Sequence, residues 1–197
     1  MSETKLKKIV FVCTGNTCRS PMAEYLLKKV LKKEKLRGFK VCSAGTEASK
    51  GDGMNPKSLQ TLLEHGIEVK SFKSTLLSEK LLSEGFAFIC MTERHRDLLL
   101  DMRWNALRKA GAQDIENNVY AFKEFAGYDV PDPYGWEIDK YRIVYDMLER
   151  GMYAIIEGLE LRACALPPPQ RTPKKKAEEE NSAPKKRGRP KKQTVKS

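Results

Sequence analysis

This chain of 197 residues is poor in three respects, and each of them narrows what it can be. It has only 5 cysteines, an odd number. That is too sparse for a disulfide scaffold and suits a reducing compartment in which a thiol stays free. No apolar run is long enough to span a bilayer. The first one, Ile9 to Cys13, stops after five residues, short of the apolar region of a secretory leader. The expectation is a cytoplasmic protein with no membrane partner. Aromatic residues are absent from 171–197 and apolar ones nearly so, a composition that predicts disorder. What remains is one globular domain at 1–166 and a tail at 167–197 that starts in Pro167-Pro168-Pro169.

Charge divides at the same place. The whole chain carries a net +11. From Arg171 to Ser197 there are 11 Lys and Arg against 3 Glu, a net of +8 that leaves only +3 for the domain. The basic character therefore says little about the domain and much about the tail. Within the tail, Pro184-Lys185-Lys186-Arg187-Gly188-Arg189-Pro190-Lys191-Lys192 resembles an AT-hook. Such a segment inserts Arg187, Gly188, Arg189 and Pro190 into narrow A·T-rich minor groove, where negative potential is concentrated, while flanking lysines neutralise phosphates. The resemblance implies weak, salt-dependent DNA binding and a nucleoid address, or a nuclear one in a eukaryotic cell. The alternative is a solvated basic tail that binds polyanions without preference.

The domain alternates strand-like and helix-like segments, which predicts a doubly wound, four-stranded parallel sheet with helices on both faces. Strand patterns lie at Ile9–Val12, Val41–Gly45, Phe86–Met91 and Val119–Phe122. Asn55-Pro56 reads as the cap and first turn of a helix that stops at Gly66. A last helix over about 136–162 shows one apolar face through Ile138, Tyr141, Tyr145, Leu148, Met152, Ile155 and Leu159. Gly151 and Gly158 each cost that helix about 1 kcal/mol relative to alanine, so packing must hold it. Cys42 and Cys90 fall in strand-like runs and are expected in the core, whereas Cys164 has no evident role.

The most informative stretch is Cys13-Thr14-Gly15-Asn16-Thr17-Cys18-Arg19-Ser20-Pro21. It joins the first strand to the first helix, with Ser20 expected as the cap and Pro21 at the first helical position. Backbone N–H groups at such a junction lack partners, and the helix dipole favours an anion. A thiol attacks as thiolate, and both the helix terminus and Arg19 favour negative charge at Cys13. The guanidinium fork of Arg19 can hold two oxygens of a phosphoryl group. Gly15 is expected to turn the backbone inward and Asn16 to brace the loop, with Ser20 hydrogen-bonded to the Cys13 sulfur.

Residues 13–24, Cys-Thr-Gly-Asn-Thr-Cys-Arg-Ser-Pro-Met-Ala-Glu, resemble the signature of the low-molecular-weight protein phosphatases, and the resemblance extends over about residues 6–162. It implies that Cys13 attacks phosphorus and that Thr14, Gly15, Asn16, Thr17, Cys18, Arg19 and Ser20 hold the phosphoryl oxygens. By the family's Asp-Pro-Tyr element, Asp132 in Val130-Pro131-Asp132-Pro133-Tyr134-Gly135 is the general acid and then the base for water. No metal or other cofactor is implied, and the substrates are phosphorylated proteins. The chain departs from many members at Ser71, where they carry a histidine tied to the loop-bracing network.

Two positions bear on specificity. Thr17, where tyrosine-specific members have a larger apolar residue, and the Tyr134-Gly135 pair resemble the bacterial protein-arginine phosphatases. A small hydroxyl-bearing wall suits a planar, donor-rich guanidinium, so phosphoarginine is favoured, with phosphotyrosine as the alternative. Cys18 is either a redox partner that condenses with oxidised Cys13 or a packing residue beneath the loop. Arsenate reduction needs a cysteine relay, and the stretch from Cys90 to Asn105 has no second cysteine. A DNA-binding protein that only senses an anion would not need Asp132.

Overall fold

The computed structural model describes residues 6–111 and 117–167. Strand β1 (Lys7–Cys13) is followed by α1 (Arg19–Lys33), β2 (Phe39–Gly45), α2 (Pro56–Glu64) and α3 (Glu79–Glu84). Then come β3 (Ala87–Cys90), α4 (Glu93–Lys109), β4 (Val119–Ala121), α5 (Phe122–Ala126), α6 (Ile138–Gly158) and α7 (Leu161–Cys164). All strand pairs are parallel, in the order β2-β1-β3-β4. The sheet is the doubly wound one the strand–helix alternation predicts. The basic motif at 184–192, with Arg187, Gly188, Arg189 and Pro190, lies outside the described residues.

Alternation along β1 sorts its side chains into two cores, because successive residues of a strand face opposite sides. Ile9, Phe11 and Cys13 join Met22, Leu26, Tyr145, Leu148 and Met152 under α1 and α6. Val10 and Val12 face Phe88, Cys90, Leu99 and Ala106 under α3 and α4. Each fully buried Phe, Leu or Ile contributes about 1.5–3 kcal/mol of transfer free energy. The chain leaves β1 towards β2 and later crosses back to β3 on its other side, so a crevice opens between the carboxyl ends of β1 and β3. In doubly wound sheets that is where ligands bind.

Three local details differ from the sequence reading. Helix α1 begins at Arg19, with Cys18 at the cap position and no side-chain cap bond. Ser20 and Pro21 are its second and third residues, because the Met22 amide already bonds to the Cys18 carbonyl at 3.2 Å. The last helix is two helices, interrupted where Glu160 takes a left-handed φ of 49°. Phe122 opens α5 instead of ending a strand.

Both glycines of α6 have steric reasons. A Cβ on Gly151 would stand 2.2 Å from the Phe122 ring, and one on Gly158 2.7 Å from the Phe125 ring. The cost of glycine in a helix is thus offset by close approach of α5, whose Phe122 is fully buried. Gly151→Ala is expected to destabilise the protein by about 1–3 kcal/mol through overpacking, although alanine is the better helix former. A urea midpoint equal to or above that of the wild type would contradict this packing argument.

Candidate active site

Cys13 is the last residue of β1 and Arg19 the first of α1, so five residues must close a tight loop between them. The left-handed turn falls on Asn16, at φ 52°, and not on Gly15. Asparagine tolerates that region better than most residues. A Cβ on Gly15 would meet only Thr17 Oγ1, at an ordinary 3.7 Å. The glycine that close approach does require is Gly45 at the end of β2. A Cβ there would stand 2.3 Å from the Thr14 carbonyl oxygen and 3.0 Å from the Asn16 nitrogen. The neighbouring amides of Thr46, Glu47 and Asn55 then take the carbonyls of Cys13, Thr14 and Thr17, each at 3.0 Å.

Asn16 is fully buried, and both ends of its amide are hydrogen-bonded. Its Oδ1 accepts the Thr75 N–H at 2.8 Å, and its Nδ2 donates to Ser20 Oγ at 3.0 Å and Ser43 Oγ at 2.9 Å. Ser43 in turn donates to buried Glu24 at 2.6 Å, and Glu24 is paired with Lys28. Since Ser20 accepts from Asn16, its own proton has the Cys13 sulfur, 2.9 Å away, as its nearest acceptor. The donors therefore diverge from Asn16. One branch passes through Ser43 to the Glu24 carboxylate and the other through Ser20 to the Cys13 sulfur, where a hydroxyl is within hydrogen-bond reach of the attacking atom. Ser71 is not part of it. Its carbonyl accepts the Tyr25 hydroxyl, and the Thr75 amide and the Glu24 carboxylate close the network.

Arg19 and Asp132, 113 residues apart in sequence, meet at 2.5 Å through Nη2 and Oδ2. The guanidinium is 6 % exposed and the carboxylate 48 %. Nη1 of Arg19 also donates to the Val130 carbonyl at 3.4 Å, and the Tyr134 N–H donates to Asp132 Oδ1 at 3.2 Å. Around this pair lies a cavity of about 220 Å³ lined by Cys13, Thr14, Gly15, Thr17, Cys18, Arg19, Asp132 and Tyr134. Every specificity and catalytic candidate from the sequence is in that lining. Asn16 and Ser20 stand behind it as bracing, and Tyr134 is at the exposed rim.

Three of the other thiols are shifted by their surroundings. Desolvation pushes the Cys18 thiol up, against weaker lowering contacts from Thr17 and Tyr141. It also pushes up Cys90, which is fully buried on the opposite face of the sheet, and Cys42. Cys18 Sγ lies 3.8 Å from the Tyr141 hydroxyl, so it packs under the loop while touching the pocket.

Two site features were not among the residues that sequence reasoning singled out. Glu24 closes the signature string, yet nothing in the string says that it reaches Ser43. His95, in the first turn of α4, hydrogen-bonds Thr14 Oγ1 through Nε2 at 2.9 Å. Burial, and next the positive charge of Arg19, pull its pKa down from 6.5 to about 4.

A parallel α/β sheet that carries a thiol, an arginine and a carboxylate around one anion-sized pocket at its switch point is a phosphatase architecture. The chain belongs to the low molecular weight phosphotyrosine protein phosphatase family, whose profile matches residues 8–163. It is 35 % identical over 155 residues to a protein-arginine-phosphatase of Bacillus subtilis, covering 77 % of this chain and 96 % of that one. It is 32 % identical over 143 residues to the low molecular weight protein-tyrosine-phosphatase PtpB of Staphylococcus haemolyticus, covering 72 % and 91 %. Among solved structures, the YwlE arginine phosphatase from Geobacillus stearothermophilus superimposes with a TM-score of 0.67 at 31 % identity, over 80 % of this chain and 96 % of that one. The chain is a phosphatase enzyme of this family. Among the described residues no helix is long and apolar enough to cross a membrane.

The depressed His95 pKa has a consequence for stability. Between pH 6.5 and about 4 the unfolded chain takes up a proton on His95 that the folded chain does not. Acidification through that window therefore favours unfolding. The urea midpoint is expected to fall across it, and His95→Gln should flatten that fall. An unchanged slope in the variant would show that other groups carry it.

Proposed function

We propose that this phosphatase hydrolyses phosphoarginine in proteins. Cys13 attacks phosphorus while Arg19 and the loop amides hold the equatorial oxygens. Asp132 gives a proton to the departing guanidinium nitrogen as the P–N bond breaks and the S–P bond forms. A water molecule, losing its proton to Asp132, then cleaves the S–P bond and releases inorganic phosphate and the thiolate. Arg19 is held by Asp132. An incoming phosphoryl dianion takes over the guanidinium and leaves the Asp132 carboxyl free to face the leaving nitrogen.

The observation that carries the arginine reading is the polar wall at Thr17. Its hydroxyl is held close to Cys18 at 3.6 Å and its carbonyl is fixed by the Asn55 amide. At that wall the pocket offers a hydroxyl where an aryl group would want apolar contact. The match to relatives named as arginine phosphatases supports the same reading, and the match to a tyrosine phosphatase keeps phosphotyrosine as the alternative. Single-turnover assays on phosphoarginine and phosphotyrosine peptides test it, with Cys13→Ser as the inactive control. Wild type should prefer phosphoarginine. Thr17→Ile should shift the ratio of kcat/KM values towards phosphotyrosine by about tenfold or more, the scale of a changed pocket wall. Equal ratios in wild type and variant would remove Thr17 from specificity.

The tail adds a second element to the proposal: contact with A·T-rich DNA through Arg187-Gly188-Arg189-Pro190, placing the enzyme on the nucleoid. Its net +8 supports this. Binding to A·T-rich duplex should weaken steeply with salt and disappear when residues 171–197 are removed. Equal affinity for G·C-rich duplex would reduce the tail to a nonspecific polycation.

A further inference from the structure

His95 comes from the first turn of α4, on the other side of the crevice, and no step of the proposed reaction uses it. Thr92, directly after β3, is the cap residue of α4, and its Oγ1 accepts the backbone N–H of His95 at 3.3 Å. The same oxygen lies 2.6 Å from His95 Nδ1. On the far side of the ring, Nε2 lies 2.9 Å from Oγ1 of Thr14, which lines the pocket. One imidazole is therefore clamped between a cap hydroxyl and a pocket hydroxyl.

Two proton arrangements satisfy this clamp, and one of them leaves the Thr14 proton to the pocket. A neutral imidazole has one N–H donor and one bare nitrogen. The Thr92 oxygen already accepts a backbone N–H, so its own proton is available for a further acceptor, and Nδ1 is within reach. If Thr92 donates to Nδ1, the ring proton is on Nε2 and is donated to Thr14 Oγ1. Thr14 then accepts from His95, and its own proton is free for the cavity.

We propose that His95 is a positioning residue that makes the Thr14 hydroxyl a hydrogen-bond donor to an oxygen of the bound phosphoryl group, with Thr92 selecting the tautomer. The proposal deepens the reading above and rests on it only for the identity of the acceptor. It also gives the two pocket threonines different tasks. Thr14, tied to His95, donates to the phosphoryl group, and Thr17, free of that tie, faces the leaving group. The ring is well suited to the task because burial and the nearby Arg19 keep it neutral at physiological pH, where the choice of tautomer decides what Thr14 does.

The chain has only 2 histidines, His65 and His95, so nitrogen NMR of the full chain carrying labelled histidine reports each ring separately. The His95→Gln spectrum assigns them by loss. The expected signature at neutral pH is a proton on Nε2 and a bare Nδ1 in His95, both with and without inorganic phosphate. Calorimetric titration with inorganic phosphate provides the functional readout. His95→Leu and Thr14→Val should each weaken phosphate binding about three- to tenfold, the worth of one hydrogen bond. The double variant should be no weaker than the single ones. His95→Gln, whose amide N–H can occupy the place of Nε2, should return to within about twofold of wild type.

His95→Asn is too short to reach Thr14 and serves in place of the leucine variant if that protein fails to fold; it should bind as weakly. A proton found on Nδ1, additive losses in the double variant, or a glutamine variant no better than leucine or asparagine would overturn the proposal. Turnover of the two phosphopeptides, measured alongside, judges the substrate reading separately. A wild type inactive on phosphoarginine but showing this pattern of phosphate affinities would sink that reading and leave the role of His95 standing.

Discussion

The buried amide of Asn16 is the constraint on which the site depends. It stands in a left-handed turn with no exposure to solvent, and its amide makes three hydrogen bonds, to Ser20, Ser43 and the Thr75 backbone, in three different segments of the chain. A buried polar group in this position is costly when unpaired, so the loop, the end of β2 and the 74–77 segment must come together as a unit. Because Oδ1 is committed to the Thr75 amide, Nδ2 is free to donate to both serines. The orientation of Ser20 towards the nucleophile follows from that commitment. Gly45 makes the same arrangement sterically possible by letting β2 approach the loop backbone.

Around this unit the sheet does the positioning. Cys13 and His95 approach the pocket from β1 and from the segment after β3, on the two sides of the switch point, while Asp132 arrives from the turn before α6. Residues separated by more than a hundred positions thus meet without any of them lying on a long flexible loop. The pairing of Arg19 with Asp132 fixes the turn at 130–135 against α1 before a ligand is present. Much of the orientation needed for phosphoryl transfer is therefore built into the fold.

The parts of this arrangement legible in the sequence were those set by local chemistry. The Cys13–Arg19 spacing, the prolines around Asp132 and the Asn55-Pro56 helix start act over a few residues, and their signals survive without tertiary context. The turn residue was misread because glycine is the default for an inward turn, whereas here the left-handed position is Asn16, held by its own side chain. The cap was misread because Ser20 is a good cap in isolation but is drawn instead to the sulfur and to Asn16. The interruption at Glu160 and the contacts of Gly151 and Gly158 depend on α5, which packs from elsewhere in the chain. His95 and Glu24 were invisible as site residues for the same reason: each acts through a partner that only the fold brings near.

The Arg19–Asp132 pair also sets the guanidinium against a carboxylate inside the pocket, in a chain whose total charge is +11. Anion binding here is an exchange in which the newcomer must replace a carboxylate already in place. A terminal phosphoryl group, with three free oxygens and two charges, can outcompete it. A phosphodiester in a nucleic acid backbone brings one charge and two free oxygens, and gains less from the exchange. The pocket is in this way set for terminal phosphoryl groups and against phosphodiesters, independently of the charge carried by the rest of the chain.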